Sequence, residues 1–121
     1  MPMTVREALV DTLGNLGVDT VFALMGAANQ DLIYDLVERA GVRGVHGHHE
    51  GAVVSMADGY ARFSGRWGCA TVTAAPGLTN TLAVAAYHRS SVLLLAGDVA
   101  ASQLDHPAAD GPGRLRPPAV R

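Results

Sequence analysis

Apolar positions along this chain switch repeatedly between helical spacing and short continuous runs, and glycine or proline marks most of the changes. Thr4-Val5-Arg6-Glu7 has the form of a capping box, and Ala8, Leu9, Leu13 and Leu16 follow at helical spacing until Gly17 ends the predicted helix. Asp19 to Leu24 is a β-branched and aromatic run stopped by Gly26, which predicts a strand buried on both faces. Asn29 stands where a cap would open a second helix, with Leu32, Ile33, Leu36, Val37 and Ala40 as its core face and Gly41 as its stop. Val42 to His46 predicts a weaker strand, interrupted by Gly44. Glu50 then opens a helix carrying Val53, Val54, Ala57, Tyr60 and Ala61 and ending at Gly65. Cys69 to Thr73 reads as the next strand, Pro76-Gly77 breaks it, a helix follows from Leu78 to Tyr87, and Ser91 to Ala96 is the most apolar strand.

Strands that alternate with helices need crossover connections, so the pattern predicts an α/β fold, a doubly wound, mostly parallel sheet with helices on both faces. Residues 1–100 make one such domain, and residues 101–121, dense in proline, glycine and arginine, read as an irregular or disordered tail. Ligands of open α/β sheets gather at the carboxyl ends of the strands. The segments after Leu24, His46, Thr73 and Ala96 are therefore where chemistry is expected.

With 121 residues, 49% of them hydrophobic and 17% charged, the chain is long enough for one buried core. The net charge of -2 offers no cationic field for nucleic acid. All nine basic residues are arginines, which removes Schiff-base, phosphate-loop and Ser-Lys chemistry from this chain. Cys69 is the single cysteine, so an internal disulfide is excluded and the thiol reads as an inert core residue. No apolar run reaches the roughly 18 residues of a membrane span, and the N-terminus lacks a signal-peptide pattern, so a cytoplasmic location away from membranes is expected.

Val45-His46-Gly47-His48-His49-Glu50 gathers three histidines and a carboxylate at a strand end. Three readings stand side by side. His46, His48 and Glu50 are a candidate metal set, though no HExxH spacing supports it. Glu50 is equally an ordinary first-turn acid held by the helix dipole. The third reading makes it a functional carboxylate facing a cleft.

The wider sequence around Glu50 adds weight to the third. Gly17-Val18-Asp19-Thr20-Val21-Phe22, then Met25-Gly26, His49-Glu50, Met56-Ala57-Asp58-Gly59-Tyr60-Ala61-Arg62 and Pro76-Gly77-Leu78-Thr79-Asn80 occur in order. In that order and spacing, over about residues 4–100, the chain resembles the N-terminal, pyrimidine-binding domain of thiamine-diphosphate-dependent enzymes, in the acetolactate synthase and benzoylformate decarboxylase branch. The resemblance implies a thiamine-diphosphate cofactor and a small 2-oxo acid substrate. It matches Glu50 to the glutamate that hydrogen-bonds N1′ of the cofactor's aminopyrimidine, a contact that favours the imino tautomer and so activates the thiazolium carbon. Gly26 matches a glycine whose bare backbone lies close to the ligand, and Pro76, Gly77 and Asn80 match a turn facing the cleft. Each also has a plainer reading, as a turn glycine, a chain reversal and a helix cap. Asp58, Tyr60 and Arg62 are expected to serve packing and subunit contact.

Met25 stands where the family carries proline, Ala75 where it carries glycine, and Ser91 where a proline commonly begins the last strand. The "GDG" and "NN" motifs that hold magnesium and the diphosphate in a second domain are missing. The resemblance therefore implies half a site, inactive alone and completed by a diphosphate-binding chain or by another subunit of a homo-oligomer. The alternative is a truncated, non-catalytic fragment or interaction module that keeps the fold.

Overall fold

The computed structural model describes residues 1–73 and 76–98. The expected tail, residues 101–121, lies outside the described residues. Elements follow the predicted alternation: α1 Val5–Asn15, β1 Thr20–Ala23, α2 Gln30–Tyr34, β2 Arg43–His46, α3 Glu50–Ser64, β3 Gly68–Thr73, α4 Thr79–Tyr87 and β4 Val92–Gly97. The sheet is parallel throughout, in the order β2-β1-β3-β4. Because β2 and β3 flank β1 on opposite sides, the winding reverses between β1 and β3, the position where open α/β sheets place their ligands at the carboxyl ends.

Local chemistry accounts for the element ends. The Thr4 hydroxyl accepts from the Glu7 backbone N–H while the Glu7 carboxylate accepts from Thr4 N–H, the predicted capping box. Gly17 and Gly65 adopt φ of 78° and 70° after their helices, a conformation that costs other residues strain.

Side chains alternate along the strands and feed two cores, one on each face. Phe22, Ala70 and Val72 pack with Val53, Val54, Ala57 and Leu78 beneath α3. Val21 and Cys69 pack with Leu13, Val18, Leu36 and Val42 beneath α1 and α2. Burial pushes the Cys69 thiol up to about 11, as suits a side chain that only fills space. Leu93 and Leu95 lean on the second core and Val92 and Leu94 on the first, all four half-buried on the edge strand.

Two local expectations are corrected. Asn29 does not cap α2 with its side chain; it is 3% exposed and turned into the preceding loop. The second helix does not run evenly to Gly41 but widens into a π turn over Asp35–Arg39, which leaves Ala40 exposed instead of in the core. Buried Asp35 pairs there with Arg6 Nε at 2.6 Å, tying α1 to α2. The fourth helix, Thr79–Tyr87 with Leu78 as its N-cap, stands where it was expected and follows a 3-10 turn at Pro76–Leu78.

The Asn29 amide instead ties the carboxyl ends of the strands together. Its Oδ1 accepts from Gly26 N–H at 2.8 Å, and its Nδ2 donates to the Leu24 carbonyl at 3.1 Å and to Thr71 Oγ1 at 3.2 Å. Thr71 Oγ1 in turn donates to the Leu95 carbonyl at 3.0 Å. One polar chain thus spans the β1 loop, β3 and β4. At the opposite end of the sheet, Asp19 receives the Tyr60 hydroxyl and an Arg66 N–H, clamping the start of β1 to the end of α3. These contacts, led by the Tyr60 hydrogen bond and joined by Thr20 and Arg66, hold the Asp19 carboxyl below the usual aspartate range.

Asn29→Ala leaves buried donors and acceptors without partners and is expected to cost about 2–3 kcal/mol, measured by urea unfolding. Tyr60→Phe is expected to lower the urea midpoint near neutral pH. Asp19 is ionised more readily in the folded chain, so its contribution is full above the unfolded value of 3.8 and is lost as pH falls through the folded one. The gap between the variant and the natural chain should therefore narrow in acid.

Candidate functional site

The parallel strands all end at the same edge of the sheet. Ala23 aligns with His46 and with Thr71, and Thr73 aligns with Gly97, so the carboxyl ends of all four strands lie side by side. Glu50 is the first residue of α3, directly after the turn that leaves β2. Its side chain is 23% exposed, neither sealed in the core nor free in solvent. The helix N-terminus beside it supplies a positive dipole end.

Two of the predicted residues meet. A Cβ built on Gly77 would stand 2.8 Å from Glu50 Oε2, closer than a side chain tolerates, and 3.2 Å from His49 Cε1, a tight contact. The carboxyl therefore lies against the bare face of the turn after β3, a contact that residues 27 positions apart in the chain make only through the fold. Pro76 and Asn80 flank Gly77 on the same exposed turn, Pro76 opening it and Asn80 lying in the first turn of α4.

Gly26 occupies the β1/β3 reversal and not the Glu50 cluster. The place of its missing Cβ is taken by Thr73, whose Oγ1 would be 2.8 Å away. Its N–H is committed to Asn29 and its carbonyl accepts from Gln30 N at 3.0 Å. At the end of β4, a Cβ on Gly97 would fall 2.6 Å from Ala28 Cβ, so the β1 loop rests on the ends of both β3 and β4.

Asn29, Thr71 and Thr73 are the residues that sequence reasoning missed. Thr73 Oγ1 is buried without a hydrogen-bond partner among the described residues, at the carboxyl end of β3. The alternating threonines of β3 were the visible signal, since a hydroxyl on a buried strand needs a partner. Asp58, Tyr60 and Arg62 are absorbed by structure. Asp58 accepts from Ser90 Oγ and lies 3.7 Å from Arg62 Nε, which fastens α3 to the turn before β4, and the Tyr60 ring packs 5.6 Å from that of Phe22.

Among the described residues, no group of three or more His, Cys, Asp or Glu side chains is placed to hold a metal ion. His46 and His48 are exposed. A cavity of about 470 Å³ lined by Arg6, Asp31, Tyr34, Asp35 and Arg39 lies on the α1/α2 face and contains none of the predicted site residues. Its arginines are already paired with its carboxylates. No helix of the described residues is long and apolar enough to cross a membrane.

Known proteins place this edge in context. Residues 3–113 match the family described as thiamine pyrophosphate enzyme, N-terminal TPP binding domain. The chain is 40% identical over 112 residues to a probable 2-ketoarginine decarboxylase of Pseudomonas aeruginosa, covering 92% of this chain and 19% of that protein. It is 44% identical over 77 residues to the acetolactate synthase large subunit of Haemophilus influenzae, covering 63% of this chain and 13% of that one. In fold it is similar to benzoylformate decarboxylase from Polynucleobacter necessarius, with a TM-score of 0.76 at 24% identity, over 88% of this chain and 20% of the other. The chain thus spans less than a fifth of the length of these two curated relatives. With the matching segment running through every described element, this chain belongs to the family of N-terminal TPP-binding domains of thiamine pyrophosphate enzymes.

Proposed function

We propose that the chain is the pyrimidine-binding half of a thiamine-diphosphate-dependent 2-oxo acid decarboxylase or carboligase, with Glu50 as its catalytic residue. The observation that carries this reading is the partly buried Glu50 carboxyl at the first turn of α3, set against the side-chain-free face of Gly77. The names of relatives support the reaction class, since they include a decarboxylase and an acetolactate synthase.

The residues present fit one end of the cofactor. A carboxyl at a sheet edge, with a bare turn beside it, could share a proton with a ring nitrogen of the cofactor. When bound, thiamine diphosphate supplies a nucleophilic carbon and an electron sink for decarboxylation. Glu50 would hold the shared proton and Pro76, Gly77 and Asn80 would line its approach with a rigid ring, bare backbone and an amide, while Gly26 would meet the ligand only from the separate β1 loop. The rigid parallel sheet fixes where the carboxyl stands, so little reorganisation is left for the moment of proton transfer.

Among the described residues no second set of groups is placed for a diphosphate and its magnesium ion, so in this reading a diphosphate-binding domain completes the site. A soluble enzyme assembled in the cytoplasm accords with this composition. The apolar side chains left open on α3 and α4 favour a second reading, a non-catalytic interaction module: Phe63 is 93% and Tyr87 85% exposed.

Calorimetric titration of thiamine diphosphate and magnesium, into the chain alone and into its mixture with a diphosphate-domain chain, separates the two. Binding in the mixture is expected, with turnover of a 2-oxo acid falling about a hundredfold or more in Glu50→Gln. Self-association of the chain with no cofactor effect in any mixture would favour the interaction module.

A further inference from the structure

The residue before Glu50 is engaged in a way the proton-sharing reading does not use. His49 is the N-cap of α3, with φ -151° and ψ 144°, and its Nδ1 accepts from Gly51 N–H at 2.9 Å. Gly51 N–H is one of the first-turn donors that no helical carbonyl can reach, so the imidazole satisfies a group that would otherwise stand open. An accepting ring nitrogen carries no proton, and the single proton of the neutral ring is thereby assigned to Nε2.

That nitrogen lies on the Glu50 side. Nε2 stands 3.8 Å from Glu50 Oε2, a separation that a small rotation of the glutamate or one bridging water turns into a donor-acceptor contact. Gly77 closes the group from the turn after β3: a Cβ there would lie 2.8 Å from Oε2 and 3.4 Å from His49 Nε2. The three residues fit together because position 77 has no side chain. Thr81 Cγ2 approaches from α4, 3.4 Å from where a Cβ of Gly51 would stand, and backs the cap with an apolar methyl.

We propose that His49 is a positioning residue for Glu50. The helix cap locks the imidazole in the tautomer that offers Nε2–H to Oε2, which holds that oxygen toward the Gly77 turn and leaves Oε1 to face the ligand. The inference rests on the reading of Glu50 as the proton partner of the cofactor, and adds the group that orients it. An exposed histidine is commonly a solvated cap and no more, and the two roles are separable by substitution because capping uses Nδ1 while positioning uses Nε2.

The test uses two variants and two readouts. Asn at an N-cap accepts from the same backbone N–H but carries no donor at the reach of Nε2, so His49→Asn keeps the cap and removes the positioning contact, whereas His49→Ala removes both. Nitrogen-15 NMR of the chain is expected to show neutral His49 with Nδ1 unprotonated. His49→Asn should retain the urea midpoint of the natural chain yet weaken thiamine-diphosphate binding about tenfold in the assembled mixture, and His49→Ala should lose both. A protonated Nδ1 in the neutral ring overturns the inference, and so does His49→Asn binding as tightly as the natural chain. Failure of the natural mixture to bind thiamine diphosphate at all overturns the Glu50 reading itself, and the purpose of the contact with it.

Discussion

The buried amide of Asn29 is the constraint on which the functional edge depends. Three elements end within its reach, and each leaves polar backbone that water cannot serve once the ends are packed. The amide meets that need with one acceptor and two donors, taking the Gly26 N–H and giving to the Leu24 carbonyl and Thr71, which passes the connection to β4. A network of this kind is stabilising only when every member is satisfied. Its geometry fixes the β1 loop over Thr73 and Gly97, where two glycines leave room for the contact.

Once that loop is fixed, the placement of Glu50 depends on the register of the sheet. β2 and β1 are aligned from Thr20 and Arg43 to Ala23 and His46, so the turn into α3 starts level with the loop that Asn29 holds. α3 is clamped separately at its far end, where Tyr60 and Arg66 meet Asp19. A helix held near its end and packed along Val53, Val54 and Ala57 has little freedom left at its first residue. Glu50 is thus presented by a rigid body, the condition that the proposed proton sharing requires.

The same architecture leaves surface open. Parallel sheets are ordinarily covered on both faces and continued at their edges, yet the leucines of β4 are half-buried and α4 buries only Ala85 among its apolar residues. These features agree with a chain that spans under a fifth of the curated relatives named above.

Much of this is legible from the residues. Hydrophobic periodicity and glycine stops give the order of helices and strands, because burial of one helical stripe or one strand run is decided locally by side-chain spacing. The capping box at Thr4 and the left-handed glycines at 17 and 65 are readable for the same reason. Glu50, Gly26 and the Pro76-Gly77 turn stand out as an ordered set of motifs, all within the segment that the family match covers. Asn29 reads as a cap from its own segment, where the amide has no competitor for the first turn of α2, and the structure gives it another task. Only packing brings Thr71 from 42 positions away to claim it. Likewise no spacing rule puts Gly77 against Glu50. The sequence by itself determined the alternation of elements and the identity of the candidate carboxyl, because those depend on neighbours along the chain. The tertiary structure decided which polar groups face one another, because hydrogen bonds between loops form only where the strand register has already brought their ends together.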